Sequence, residues 1–132
     1  MNGTSTLQVD LDAIARNVGL LRALCAPGVR FCAVLKADAY GLGARGVIST
    51  LKQAGSSMCA LFSPREACEL ADFDIPLLVL MPVMAHDVPV ELIEKARQGS
   101  LHFVVHDSTQ MESLDSLGRR LEVRLPVHLK VD

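Results

Sequence analysis

At 132 residues, 50% apolar and 21% charged, the chain has the size and balance of one globular domain with a real core. A net charge of -2, 4% aromatics and no Trp leave neither a basic stripe nor a stacking platform for nucleic acid. The opening MNGTSTLQVDLD has no basic region followed by an apolar one, as a signal peptide would. The longest greasy run, IPLLVLMPVMA, is too short for a bilayer, so a soluble, cytoplasmic chain with no membrane partner is expected.

VDLDAIARNVGLLRALC carries Leu11, Ile14, Val18, Leu21 and Leu24 at helical spacing, with Asp10 or Asp12 as cap. VRFCAVLKA is a short apolar, β-branched run, which predicts a buried strand near 31–35. ARGVISTLKQAG is a helix stopped by Gly55, and MCALF is a strand near 58–62. SPREACELADF opens with a strong start signal: Ser63 as N-cap, Pro64 behind it and Glu66 completing a capping box. IPLLVLM predicts a strand near 76–81. VPVELIEKARQG, acidic early and basic late, is a helix that ends at Gly99. LHFVV predicts a strand near 101–105, DSTQMESLDSLGRR a helix capped by Asp107 or Ser108, and VRLPVHLKVD a last strand within 124–131.

Strand and helix thus alternate through about five strands with short connections, which demands parallel strands joined by right-handed crossovers, with the helices on one side. An open doubly wound sheet and a (β/α)8 barrel both fit. A complete barrel takes about 250 residues, and a chain that stops on a strand leaves an edge and a face bare, so the sequence is expected to be a cut piece. Cys25, Cys32, Cys59 and Cys68 form no C-x-x-C pair and are expected as reduced core thiols. His102 and His106 have the spacing of helical metal ligands, but they bracket strand-like FVV with no further ligands, so no metal site is expected.

Function in either architecture collects at the carboxyl ends of the strands. Lys36 and Lys130 both fall there. A lysine at such a mouth, in partly apolar surroundings, has its pKa lowered and can form a Schiff base; the alternative is a lysine reaching to solvent from a strand end. The loop with Gly41 and Gly43 could approach a phosphate.

AVLKADAYGLGA resembles the pyridoxal-phosphate attachment signature of the alanine racemases, A-V-[VIL]-K-A-[ND]-A-Y-G-x-G. VDLDAIARNVGLLR is similar to the opening segment of that family, REACELADFDIPLLVL to its third-strand region, and VHLKVD to the start of a segment that continues as T-G-M-x-R. The resemblance implies a pyridoxal-phosphate-dependent isomerase of L- and D-alanine, supplying D-alanine for peptidoglycan. It implies a barrel domain followed by a β domain, in a head-to-tail homodimer. Residues 1–132 would be the N-terminal portion of that barrel: a partial (β/α)8 TIM barrel of about five parallel strands.

Lys36 would then be the Schiff-base lysine and one of two proton-transfer bases. Tyr40 would donate to the cofactor phosphate, Leu80 would line the cofactor pocket, and Lys130 would match a lysine carbamylated in several members. Leu42 stands where His is commoner. The T-G-M-x-R arginine, the later strands and the tyrosine base of the β domain are not in this sequence. The isolated chain is therefore expected to be inactive, to bind the cofactor weakly or not at all, and to self-associate. A non-catalytic cofactor-binding or assembly module of the same fold is the alternative.

Overall fold

A computed structural model describes residues 5–131. The first four residues of MNGTST and Asp132 of VHLKVD lie outside them.

The elements are helix α1 (Leu11–Ala23), strand β1 (Cys32–Val34), the single turn α2 (Lys36–Tyr40) and helix α3 (Ala44–Gln53). Strand β2 (Met58–Leu61), helix α4 (Pro64–Cys68), strand β3 (Leu77–Val79) and helix α5 (Ile93–Arg97) follow. Strand β4 (Leu101–Val105), helix α6 (Ser108–Leu121) and strand β5 (Val127–Leu129) complete the described chain. Two short 3-10 turns precede α5. The sheet runs β1-β2-β3-β4-β5 and every pairing is parallel. All the carboxyl ends therefore point the same way.

Period-two alternation separates the two faces of the sheet. Cys59, Leu61, Leu77, Val79, Leu101, Phe103 and Val105 pack in one core with Val47, Ile48 and Leu51 of α3, Ala67 of α4, Ala96 of α5 and Leu114 of α6. Alternate residues of β4 and β5, such as His102 and His128, stand on the opposite face. Burying one large aliphatic or aromatic side chain contributes roughly 1.5–3 kcal/mol, so this single layer of contacts dominates the stability of the helix-covered side.

The expected caps are present. Asp10 Oδ1 accepts from Ala13 N at 2.9 Å, and Asp107 Oδ1 from Gln110 N at 2.8 Å. Gly55, at φ 103°, follows α3 with Arg22 packed so closely that a Cβ would lie 2.0 Å from its Nη1. The positive φ is what favours glycine there; the Arg22 guanidinium is the exposed end of a flexible side chain and could move aside.

Three expectations change. In the stripe of α1, Val18 is buried and Ile14 half-buried where the helix packs on α3, while Leu11, Leu21 and Leu24 are exposed; helical spacing is met, but among the described residues only part of the stripe meets a second surface. The helices in SPREACELADF and VPVELIEKARQG are single turns of five residues. Of the four free thiols, only Cys59 is fully buried, and burial pushes it up to about 12; Cys25 is exposed.

His102 and His106 do not share a site. His102 Nδ1 lies 3.1 Å from His128 Nε2 of the neighbouring strand, and His106 Nε2 lies 3.1 Å from the Leu80 carbonyl oxygen. Burial, then His128, then Arg30 hold His102 below its usual 6.5. The unfolded chain thus binds a proton near pH 6.5 that the folded chain accepts only at lower pH. Stability should be full above that value and fall as pH drops through the window beneath it. Urea midpoints at about pH 7.5 and about pH 5.5 should show this fall, and His102→Leu should flatten it; an equal fall in the variant would assign the effect to other groups.

Candidate active site

The residues after β1 reverse the hand of the backbone. Ala37, Asp38, Ala39 and Tyr40 all have φ between 52° and 56°, so α2 is a left-handed turn built without glycine. Left-handed helix costs L-residues about 1–2 kcal/mol each, and such strain persists only where surroundings over-determine it.

The surroundings here are specific. Within the turn, Ala39 N donates to Leu35 O at 2.8 Å and Gly41 N to Ala37 O at 3.0 Å. Asp38 closes it, its carbonyl taking Gly43 N at 2.9 Å and its Oδ1 taking Ala44 N, at the start of α3, at 2.7 Å. Glu66 holds the front: Oε1 accepts from Ala37 N at 3.1 Å and Oε2 from Phe62 N at 2.7 Å. Hydrogen bonds to a charged partner are worth roughly 1.5–3 kcal/mol, so three of them match the order of the strain. Gly41 and Gly43, at φ 85° and 87°, carry the chain out of the turn and into α3.

This arrangement corrects the expected capping box at α4. Ser63 Oγ does accept from Glu66 N at 3.3 Å. The Glu66 carboxylate, however, reaches past the N-cap to Phe62 and across to Ala37. The S-x-x-E pattern marks the helix start and says nothing of a competing long-range partner.

The turn leaves Lys36 exposed at the carboxyl end of β1, with its Nζ 5.9 Å from the centre of the Tyr40 ring. The partly apolar surroundings expected for this amine are not what the structure gives. Tyr40 is also exposed, at 64%. At Gly41 and Gly43 an added Cβ would meet nothing within 4 Å, so bare backbone faces open space between the turn and α3.

Leu80 and Lys130 stand at the same end of the sheet. Leu80 is half-buried, its amide donating to Leu61 O at 2.9 Å. Lys130 is exposed, and its amide donates to Val105 O at 2.9 Å, extending the β4–β5 ladder by one bond. A cleft of about 370 Å³ between β5 and the start of α6 is lined by His106, Asp107, Met111, Leu129 and Lys130. A cleft of about 550 Å³ lies elsewhere, along α6, lined by Leu114, Leu125 and Val127 among others. The geometry brings Lys36 and Tyr40 together on one turn after β1, and places Leu80 and Lys130 at the ends of β3 and β5, each separated from the next of these strand ends by an intervening strand.

Sequence reasoning weighed His106 only as a metal ligand and Glu66 only as a helix cap, and placed neither at the strand ends beside Leu80 and Lys36. For His106 a signal existed: alternation along LHFVVH puts it on the face of His102, just past the end of β4. Its ring meets the carbonyl oxygen of Leu80, which ties the β3 and β4 ends together. Among the described residues no cluster of three or more His, Cys, Asp or Glu is placed to hold a metal, and no helix is long and apolar enough to cross a membrane.

The chain is similar to known proteins over nearly its whole length. The family described as "Alanine racemase, N-terminal domain" matches residues 9–132. The alanine racemase of Desulfosudis oleivorans is 34% identical over 127 residues, covering 95% of this chain and 31% of that protein. The alanine racemase of Limosilactobacillus fermentum is 35% identical over 128 residues, covering 96% and 34%. Among solved structures, alanine racemase from E. faecalis superimposes with a TM-score of 0.78 at 30% identity, over 94% of this chain and 33% of its own. The enzyme from Bartonella henselae, solved with covalently bound pyridoxal phosphate, gives 0.73 at 26% identity, over 94% and 34%. The chain thus spans about a third of the length of the curated relatives it matches, and its open five-stranded sheet corresponds to part of their barrel. With the signature lysine at a strand end and the match running through nearly every described element, the chain belongs to the alanine racemase family, in the region of its N-terminal domain.

Proposed function

We propose that residues 1–132 are the N-terminal portion of the barrel domain of an alanine racemase, whose longer polypeptide interconverts L- and D-alanine with pyridoxal phosphate. In that reading the protein is a cytoplasmic homodimer that supplies D-alanine for peptidoglycan. The observation that carries it is the placement of Lys36. It is an exposed amine at the carboxyl end of β1, in none of the ion pairs among the described residues. A strained turn whose sequence is the family's attachment signature presents it.

The residues present fit the cofactor: a primary amine, a phenol hydroxyl on the same turn, and open glycine backbone between them and α3. Pyridoxal phosphate, when bound, supplies an aldehyde for an amine to capture and a ring that takes up the negative charge left at an alanine Cα. Lys36 has two tasks: to hold the cofactor and, once released from it, to take or return the Cα proton on its own side. Tyr40 donates its hydroxyl hydrogen to a phosphate oxygen. Leu80 offers an apolar wall, and Lys130 is the position for carbamylation. Racemisation needs a second base on the opposite side, because a single base returns the proton to the face it came from. This chain carries the Lys36 side, so racemisation belongs to the longer polypeptide.

In that polypeptide, Lys36→Ala should abolish racemisation and remove the visible absorbance of the bound cofactor. Lys36→Arg should fail equally, because a guanidinium stays protonated and cannot make the covalent link. Absorbance retained in either variant would show that the cofactor is held elsewhere.

The 132-residue chain alone should neither racemise alanine nor bind the cofactor tightly, and it should self-associate. Strands β1 and β5 are the edges of the described sheet; Leu129 at the end of β5 and Val131 just past it are 68% and 88% exposed. Unpaired edges carrying apolar side chains are templates for association. Light scattering at micromolar concentration, with a racemisation assay on the same sample, checks both halves. A clean monomer would contradict the packing argument, and measurable turnover would overturn the one-base argument.

A further inference from the structure

We propose that Glu66 is the positioning residue for Lys36. Its carboxylate accepts from the Ala37 amide at 3.1 Å and from the Phe62 amide at 2.7 Å. The first amide belongs to the residue directly after the lysine, and the second to the residue directly after β2. One half-buried side chain thus ties the entry of the left-handed turn to the end of the neighbouring strand.

The link is needed because of what the turn does to the backbone. The first amides of any helical turn lack partners within it, and the Ala37 amide is one of these. Left unsatisfied, it would favour the backbone unwinding toward the extended region, where Ala37 carries no strain. Lys36 would then leave the strand end along a different path. Strand pairing cannot prevent this, since the last amide of β1's side to join β2 is that of Leu35, donating to Ala60 O at 2.7 Å. Asp38 fixes only the far end of the turn, toward Ala44. Among the described residues, the side-chain hydrogen bond to the turn's start comes from Glu66, which belongs to another element, α4.

The carboxylate is suited to this for two reasons. It offers two acceptor oxygens in a fixed fork, one for each amide. It is also held from behind, because α4 begins on Ser63 with Pro64 at its first position and Ser63 Oγ takes the Glu66 amide. Glutamine keeps one acceptor oxygen and replaces the other with a donor, so it can serve only one of the two amides.

The inference rests on the proposed function for its catalytic meaning, but its structural half can be read without the cofactor. Amide hydrogen exchange in Glu66→Ala should lose protection at Ala37 and Phe62 while Ala60, Leu61 and Val79 stay protected. Glu66→Gln should keep protection at one of the two. In the longer polypeptide, the affinity for pyridoxal phosphate read from the visible absorbance should weaken about tenfold or more in Glu66→Ala and less in Glu66→Gln, as expected when a hydrogen bond to a charged group that holds the lysine's turn is lost. The melting temperature should change little between the Gln variant and the parent. Unchanged exchange at Ala37, or cofactor affinity unchanged in the Ala variant, would overturn the proposal. If the parent itself bound no cofactor, the functional reading would fail, and exchange at Ala37 and Phe62 would still decide whether Glu66 holds the turn.

Discussion

Everything at the carboxyl end of the sheet depends on the backbone changing hand directly after Lys36. A right-handed turn there would carry the chain on in the ordinary β-to-α manner. Instead, four L-residues sit at positive φ, and the chain doubles into a tight hook before Gly41 and Gly43 release it into α3. The hook puts Lys36 and Tyr40 on one small turn, with the amine 5.9 Å from the ring. A position that costs several kcal/mol of backbone strain is held because a carboxylate stands at each end of it, Glu66 at the front and Asp38 at the back. Neither carboxylate could be replaced by an apolar side chain of similar size without freeing an amide.

The same two stretches of chain are clamped a second time, at their outer ends. Arg45, in the first turn of α3, makes a two-pronged contact with Asp72 at 2.8 Å on each prong, donates to the Glu69 carbonyl oxygen and stacks 4.8 Å over the Phe73 ring. The hydrogen bond from Arg45 holds the Asp72 carboxyl below the ordinary carboxylate range. Lys52 reaches Asp74 at 2.8 Å, and Lys95, buried and with its pKa lowered by that burial, donates to Phe73 O at 2.8 Å. Exposed ion pairs contribute little stability singly. Their value here is geometric, because they fix α3 against the segment after α4 and so fix the direction in which the glycine loop leaves the hook.

The sheet was legible because each strand is a short apolar run bounded by turn chemistry, and five such runs alternating with helical patterns demand parallel pairing; the chain-order arrangement, rather than a doubly wound one, came from the family resemblance and is what the structure has. The cap at Ser63 was legible for the same local reason, and the other two were narrowed to Asp10 or Asp12 and to Asp107 or Ser108, of which the structure uses Asp10 and Asp107. What lay beyond the sequence was non-local. Nothing in Ala-Asp-Ala-Tyr announces a left-handed turn, since none of these residues has the conformational freedom of glycine; only the flanking Gly41 and Gly43 hint at unusual backbone. Glu66 fits a capping box by spacing, and its real partners lie at Phe62 and at Ala37 in another element. Leu11, Leu21 and Leu24 satisfy a helical stripe, yet periodicity cannot say whether a surface exists for that stripe to meet. Lys36 and Tyr40 were recoverable as a pair only through the family signature, because chemistry alone leaves a strand-end lysine ambiguous.

The central claim is that Lys36, and no other lysine, is the amine that carries the cofactor. The longer polypeptide, reduced with borohydride in the presence of pyridoxal phosphate at stoichiometric concentration and then digested, gives peptides whose masses locate the attached group. The account predicts a single modified peptide, with the added mass on Lys36 of AVLKADAYGLGA and none on Lys52, Lys95 or Lys130. Attachment spread over several lysines, or confined to one of the others, would contradict it.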